Sequence, residues 1–280
     1  MKRGLEDLEK ARFDFKRFIS GIIFGIVIIL SIFFFNKLGF FFICLILIAL
    51  SVYELFGVFD LNKYKYFILP EILSILVAFA FGFLTPSIFI FVVFLSVFLI
   101  VFKNILFFKN DGGKSMFLEV FSIFYIGFFI SYLLKILDLN NGKLLLMLLF
   151  ILVWSSDIFA YYGGRRFGRR KLFFSLSPKK TIEGALTGLL FAILTALIFR
   201  VFIADYRGFT LFSFTVISAL TVIFGMIGDL GESLVKRVGG KKDSGFLIPG
   251  HGGILDRIDS LILAAPFFYY ITLFFLNHKN

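Results

Sequence analysis

A chain of 280 residues that is 60% apolar, only 17% charged and carries 45 phenylalanines has more apolar surface than a soluble core absorbs. Its mean hydropathy of +0.99 assigns it to lipid, so a net charge of +11 reads as loops facing anionic headgroups, not as a nucleic-acid footprint. The single cysteine, Cys44, sits in an apolar run, which excludes an internal disulfide framework and gives no hint of a metal thiolate.

Residues 1–18 set Leu5, Leu8 and Phe15 among Lys, Arg, Glu and Asp, and predict an interfacial helix. No small-residue cleavage site follows, so no removable signal peptide is expected. Nine spans come next, at 19–36, 38–57, 66–82, 85–103, 116–136, 143–162, 183–203, 209–230 and 256–276. Runs such as Gly21 to Phe35 and Ser87 to Phe102 hold no charge at all. In hydrocarbon every amide must be bonded within its own segment, so the spans are helices and the fold is an all-α polytopic membrane protein. Pro70 and Pro86 fall near span starts, where a missing N–H is harmless. We divide the chain at residue 140, between an N-terminal membrane region of about five spans and a C-terminal region richer in polar residues.

Charge sets the orientation. With nine spans and the N-terminus in the cytoplasm, 23 of the 29 basic residues fall on the inside and six outside. The long polar loops 163–182 and 231–255 then share the cytoplasmic face of the cell's inner membrane.

In chain order, Glu54 and Glu71 are isolated acids near span ends and read as interfacial residues. Asp157 stands inside or at the end of span six. It is either a functional group, as intramembrane carboxylates commonly are, or a counter-ion for Arg165 or Arg166. The loop from Arg165 to Lys180 carries seven basic residues, and a solvated positive-inside loop accounts for Arg169 and Arg170. Lys179 and Lys180 are placed differently. They precede span seven, whose free N–H groups and dipole attract an anion, while Thr181 is a candidate cap for that helix.

Gly225, Gly228 and Gly231 recur every three residues on one face of span eight, a pattern for close helix packing. Asp229 and Glu232 end that span, and Asp256 and Asp259 begin the next. Spacing of three puts each pair on one helical face. Four carboxylates therefore converge near one membrane surface, either as partners of Arg257, Lys236 and Arg237 or as oxygen ligands of a hard cation such as magnesium. Between the pairs lies a loop with six glycines, whose exposed amides suit a phosphate. There Pro249-Gly250-His251-Gly252-Gly253 leaves His251 as the one bulky group on a small turn.

The stretch Ser233-Leu-Val-Lys236-Arg237, then Lys242-Asp243-Ser-Gly245, then Ile248-Pro249-Gly-His251-Gly252-Gly253-Ile254-Leu-Asp256-Arg257-Ile258-Asp259, resembles the signature of phosphatidate cytidylyltransferases, with every fixed position filled. Ser177-Pro-Lys-Lys-Thr181 is similar to the same family. The resemblance is specific from Trp154 to Ser260 and compositional before that. It implies an all-helical, commonly dimeric membrane enzyme that joins CTP to phosphatidic acid with Mg2+, one ion or two. It implies catalytic roles for Asp229, Asp256, Lys236, Arg237, His251 and Arg257. Nucleotide contacts fall to Lys179, Lys180, Thr181, Lys242, Asp243, Gly252 and Gly253, and the metal to Asp229 and Asp256 helped by Asp259.

Three other classes of membrane protein share parts of this pattern. A CDP-alcohol phosphotransferase needs Asp-Gly-x-x-Ala-Arg, whereas Asp111-Gly112 continues Gly-Lys-Ser-Met. A lipid transporter or flippase would carry its acids near the bilayer midplane. A CTP-dependent polyprenol kinase pairs the same nucleotide with another lipid.

Overall fold

With no water to bond in hydrocarbon, long apolar runs satisfy their own amides, and the computed structural model is a bundle of such helices. It describes residues 21, 23, 25–61, 64–107, 112–202, 209–245 and 252–278. The expected interfacial helix at 1–18 lies outside them. The helices are α1 (Gly25–Phe34), α2 (Lys37–Val58), α3 (Tyr64–Phe83), α4 (Pro86–Leu106), α5 (Gly112–Ser122), α6 (Phe129–Ile136), α7 (Gly142–Phe167), α8 (Ile182–Phe202), α9 (Leu211–Val238) and α10 (Leu255–Asn277). A π-helical turn, Ile123–Phe128, fuses α5 and α6 into one rod. Among the described residues eight helices are long and apolar enough to cross a membrane. The first expected span is represented by α1, a shorter apolar helix whose lead-in falls largely outside the described residues.

Local chemistry sets the starts. Asn36 accepts from Gly39 N at 2.8 Å to cap α2, and Thr210 accepts from Ser213 N at 3.1 Å to cap α9. Pro86 opens α4, where its ring costs no hydrogen bond. Most of α4 turns Ile90, Phe91, Phe94 and Phe98 outward as a lipid-facing wall. The fused α5–α6 rod is largely buried, and α2, α6, α7, α9 and α10 enclose the main apolar core.

Polar links mark the two ends of the bundle. At one end Lys37 pairs with Asp138 at 2.7 Å, and Lys143 Nζ donates to Phe33 O at 2.8 Å. At the other, Lys241 pairs with Asp60 at 2.8 Å, and Arg237 Nε donates to Leu176 O at 3.3 Å. The two long polar segments therefore meet on one side, as the parity of the spans requires.

Two expectations need correction. The segments 163–182 and 231–255 are not loops throughout: α7 runs on to Phe167 and α9 to Val238, because no proline stops either helix once it leaves the apolar zone. Within the first, strands β1 (Lys171–Phe173) and β2 (Ser177–Thr181) form an antiparallel hairpin. The second correction concerns Glu54. It is 3% exposed at the inner end of α2, an interior group and not an interfacial one.

Candidate active site

Four helix ends and a glycine-rich loop build the site. Helices α9 and α10 meet through Gly228: a Cβ there would stand 2.6 Å from Asp259 O and 3.3 Å from Leu263 Cβ. Only a bare α-carbon allows that approach, and it brings Asp229 to the start of α10. Asp259 lies within electrostatic reach of Asp229, Glu232 and Asp157. On the neighbouring pair, a Cβ at Gly188 would lie 2.7 Å from Ser156 O, so α8 sits against the turn that carries Asp157. The charges of Asp229, Lys180 and Arg257 all reach Asp157. Asp157 therefore lies with the acids of α9 and α10, and the cations that reach it are Lys180 and Arg257.

The hairpin delivers the cations. Thr181 Oγ1 accepts from Gly184 N at 3.1 Å and caps α8, as its place before span seven predicted. Glu183 turns back to accept from the amides of Arg169 and Arg170 at 3.0–3.2 Å, which fixes the hairpin base. With β2 held there, Lys180 forms an ion pair with Asp229 while Lys179 remains exposed. Arg237 uses its guanidinium on the carbonyls of Leu176 and Lys241, so it ties the hairpin to the end of α9.

A second cluster lies beside the first. Lys236 bridges Glu232 and Asp256, the latter at 2.6 Å, and Glu232 is fully buried. Asp256 also accepts from Ser244 N at 3.1 Å, Ser244 Oγ at 2.9 Å and Gly253 N at 2.9 Å. Gly252 adopts φ +83°, a left-handed turn in which a Cβ would stand 2.7 Å from Asp256 Oδ2. Lys242 and Asp243 lie exposed on the same loop. His251 lies outside the described residues.

The four carboxylates expected to converge do come together, but lysines divide them. Asp229 carries Lys180, and Lys236 stands between Glu232 and Asp256. Among the described residues no three His, Cys, Asp or Glu side chains are disposed to hold a metal on their own. That fits magnesium, which keeps several waters and binds through one or two carboxylates plus substrate phosphates. Asp229 and Asp259 offer oxygen donors only and would be the pair to hold such an ion, while Asp256 is already engaged by four donors.

Two site residues were missed from sequence. Glu54 accepts from Ile254 N at 3.0 Å and Leu255 N at 2.9 Å, across some two hundred residues of chain. Tyr125, in the π-helical turn, is 7% exposed, and its hydroxyl has no hydrogen-bond partner among the described residues. That hydroxyl would stand 3.9 Å from a Cβ at Gly231, within reach of the charges of Asp229, Glu232 and Asp259. An acid near a span end and a tyrosine in an apolar run have no local signature. The π turn, common at functional sites, becomes visible only in the fold.

The fold and site together define a polytopic helical membrane protein that gathers acids, lysines and the described ends of a glycine-rich loop at one end of its bundle. The chain belongs to the cytidylyltransferase family, whose model matches residues 15–275. It is 31% identical over 276 residues to a phosphatidate cytidylyltransferase of Bacillus subtilis, covering 93% of this chain and 98% of the relative. To that of Haemophilus influenzae it is 48% identical over 143 residues, which spans 50% of this chain and only 49% of the relative. To that of Aquifex aeolicus it is 37% identical over 164 residues, 59% of this chain and 60% of the relative. The resemblance read from residues 154–260 is borne out, and it extends well into the N-terminal half, where Glu54 and Tyr125 lie.

Proposed function

We propose that this protein is a phosphatidate cytidylyltransferase, converting CTP and phosphatidate to CDP-diacylglycerol and pyrophosphate on the cytoplasmic face of the inner membrane. The observation that carries the proposal is the end-to-end similarity to the Bacillus subtilis relative of that name. The arrangement of Asp157, Asp229, Asp259, Lys180 and Arg257 at one membrane surface supports it.

A phosphate oxygen of phosphatidate attacks the α-phosphorus of CTP. The new P–O bond forms as the bond to the β-phosphate oxygen breaks, and pyrophosphate leaves with the electron pair. The nucleophile is already ionised at neutral pH, so no general base is required. The obstacle is the approach of two polyanions, and the chain meets it with positive charge and positioning. Lys180, held on Asp229 by the hairpin, is a cation already at the surface where a phosphate must arrive. Arg257 lies on the first turn of α10 beside Asp157. Asp229 and Asp259 are the residues that would hold Mg2+, which when bound supplies charge neutralisation for the transferring phosphate. A lipid substrate accounts for a site at the level of the headgroups.

The test is incubation of purified protein with phosphatidate and labelled CTP. Label from the α-phosphate is expected in a chloroform-soluble product, and γ-label in pyrophosphate. Transfer of γ-label to lipid would identify a CTP-dependent kinase instead.

A further inference from the structure

The geometry points to Glu54 as a positioning residue that, from the N-terminal half of the chain, holds Ser244 and the entry of α10, the two described ends of the glycine-rich loop. Its carboxylate takes three donors: Ile254 N at 3.0 Å, Leu255 N at 2.9 Å and Ser244 Oγ at 3.3 Å. The two amides belong to the entry of α10, where helical N–H groups lack partners within the helix. Ser244 comes from the other described end of the loop, so one carboxylate clasps both ends. Ser244 Oγ also donates toward Asp256, which joins Glu54 to the Asp256–Lys236–Glu232 cluster.

The glycines of the loop are shaped to this clasp. A Cβ at Gly245 would stand 2.6 Å from Glu54 Oε1, and one at Gly253 would stand 2.6 Å from Glu54 Cδ. Both positions must be glycine for the carboxylate to enter. Two of the six glycines thus make room for Glu54, where the sequence pattern alone assigned the loop to phosphate. A carboxylate 3% exposed is retained only where it is fully bonded, and among the described residues every donor to it lies on this loop or at its exit.

The kinetic part of this inference rests on the proposed activity; the clasp itself does not. In Glu54→Gln one acceptor oxygen survives, but an NH2 group now faces a backbone N–H or the Ser244 hydroxyl, and the loop leaves its docked shape for most of the time. Affinity for a ligand of the docked loop falls by the docked fraction, and saturating ligand restores that shape. We expect KM for CTP to rise at least about tenfold while kcat at saturating CTP stays within about threefold. Glu54→Asp, which keeps the charge on a shorter stem, recovers part of the loss. Trypsin supplies a readout independent of activity: cleavage after Lys241 or Lys242 is expected to quicken about tenfold in Glu54→Gln, with cleavage after Arg165 and Arg166 unchanged. A variant with wild-type KM, and with kcat reduced only in proportion to folded protein, would overturn the inference. Wild-type trypsin rates at Lys241 and Lys242 would overturn it as well. If the wild-type protein makes no CDP-lipid, the proposed function fails, and the trypsin comparison still judges the clasp.

Discussion

Asp229 and Asp256 carry the same functional group at equivalent points of a repeated spacing, yet the structure gives them different surroundings. Asp229 is paired with a lysine whose side chain is 30% exposed and free to turn toward the headgroups. Asp229→Asn is therefore expected to leave the melting temperature in detergent nearly unchanged. Turnover should fall at least about 100-fold, because Asp229 would hold the cation that neutralises the transferring phosphate. Asp256 accepts three bonds from the loop and one from Lys236, whose side chain is only 13% exposed. Asp256→Asn keeps one acceptor, and Lys236 keeps Glu232, so a loss of about 1–3 kcal/mol of stability is expected before any effect on chemistry is isolated. Thermal unfolding beside magnesium-dependent turnover separates the two. Equal melting temperatures with equal loss of turnover would mean that both acids serve the reaction directly. Glu54 marks the limit of reading residue by residue: its partners are fixed by the fold and not by its neighbours in sequence.

At the scale of elements, glycine on α9 decides how near the acids come. Gly228 opposes the Asp259 carbonyl, so any side chain there must push α10 away. Gly228→Val is expected to lower stability by about 2 kcal/mol or more and to abolish activity. Gly225→Ala meets its nearest neighbour at 3.6 Å, an ordinary contact, and should be tolerated in both respects. Purified variants compared by unfolding and turnover make the test, and an active Gly228→Val would show that the helices need not meet there. The every-third-residue pattern was legible as a packing face, and the fold bears it out at Gly228, while Gly225 and Gly231 meet their nearest neighbours only at 3.6 and 3.9 Å. The boundaries were less so. Helices α7 and α9 continue past the apolar zone because interfacial water and headgroups still satisfy their exposed side chains, and hydropathy alone does not register that.

Across the whole molecule, the ion pairs at the two ends of the bundle sort the loops into two sets. Residues 37, 82, 138 and 143 belong to one end and 60, 176, 237 and 241 to the other. The count of basic residues assigns the second set to the cytoplasm. In a Cys44-free background, a cysteine at 170 or 241 is expected to react with an impermeant thiol reagent only after the membrane is opened. One at 207 should react from outside. The reverse pattern would invert the orientation while leaving the shared side of the loops intact. Contacts also cross residue 140 at several points, as α10 packs against α6 and touches α2, and α6 lies against α7. The N-terminal spans thus help to build the site.

Composition and its long unbroken apolar runs determined that the chain is a helical membrane protein, because such runs satisfy their own amides in hydrocarbon as helices, whereas barrel strands alternate apolar with polar residues. The spacing of Asp229, Glu232, Asp256 and Asp259, with the glycine-rich signature between them, determined the family, since that signature is continuous in the chain. Tertiary structure alone decided which carboxylate meets which cation, that Lys236 separates Glu232 from Asp256, and that Glu54 and Tyr125 face the site. Those outcomes depend on how close two helices come and in what rotation. That is set by steric fit between segments far apart in the chain, up to 201 residues for Glu54 and Leu255, about which no stretch of sequence carries a period or a motif.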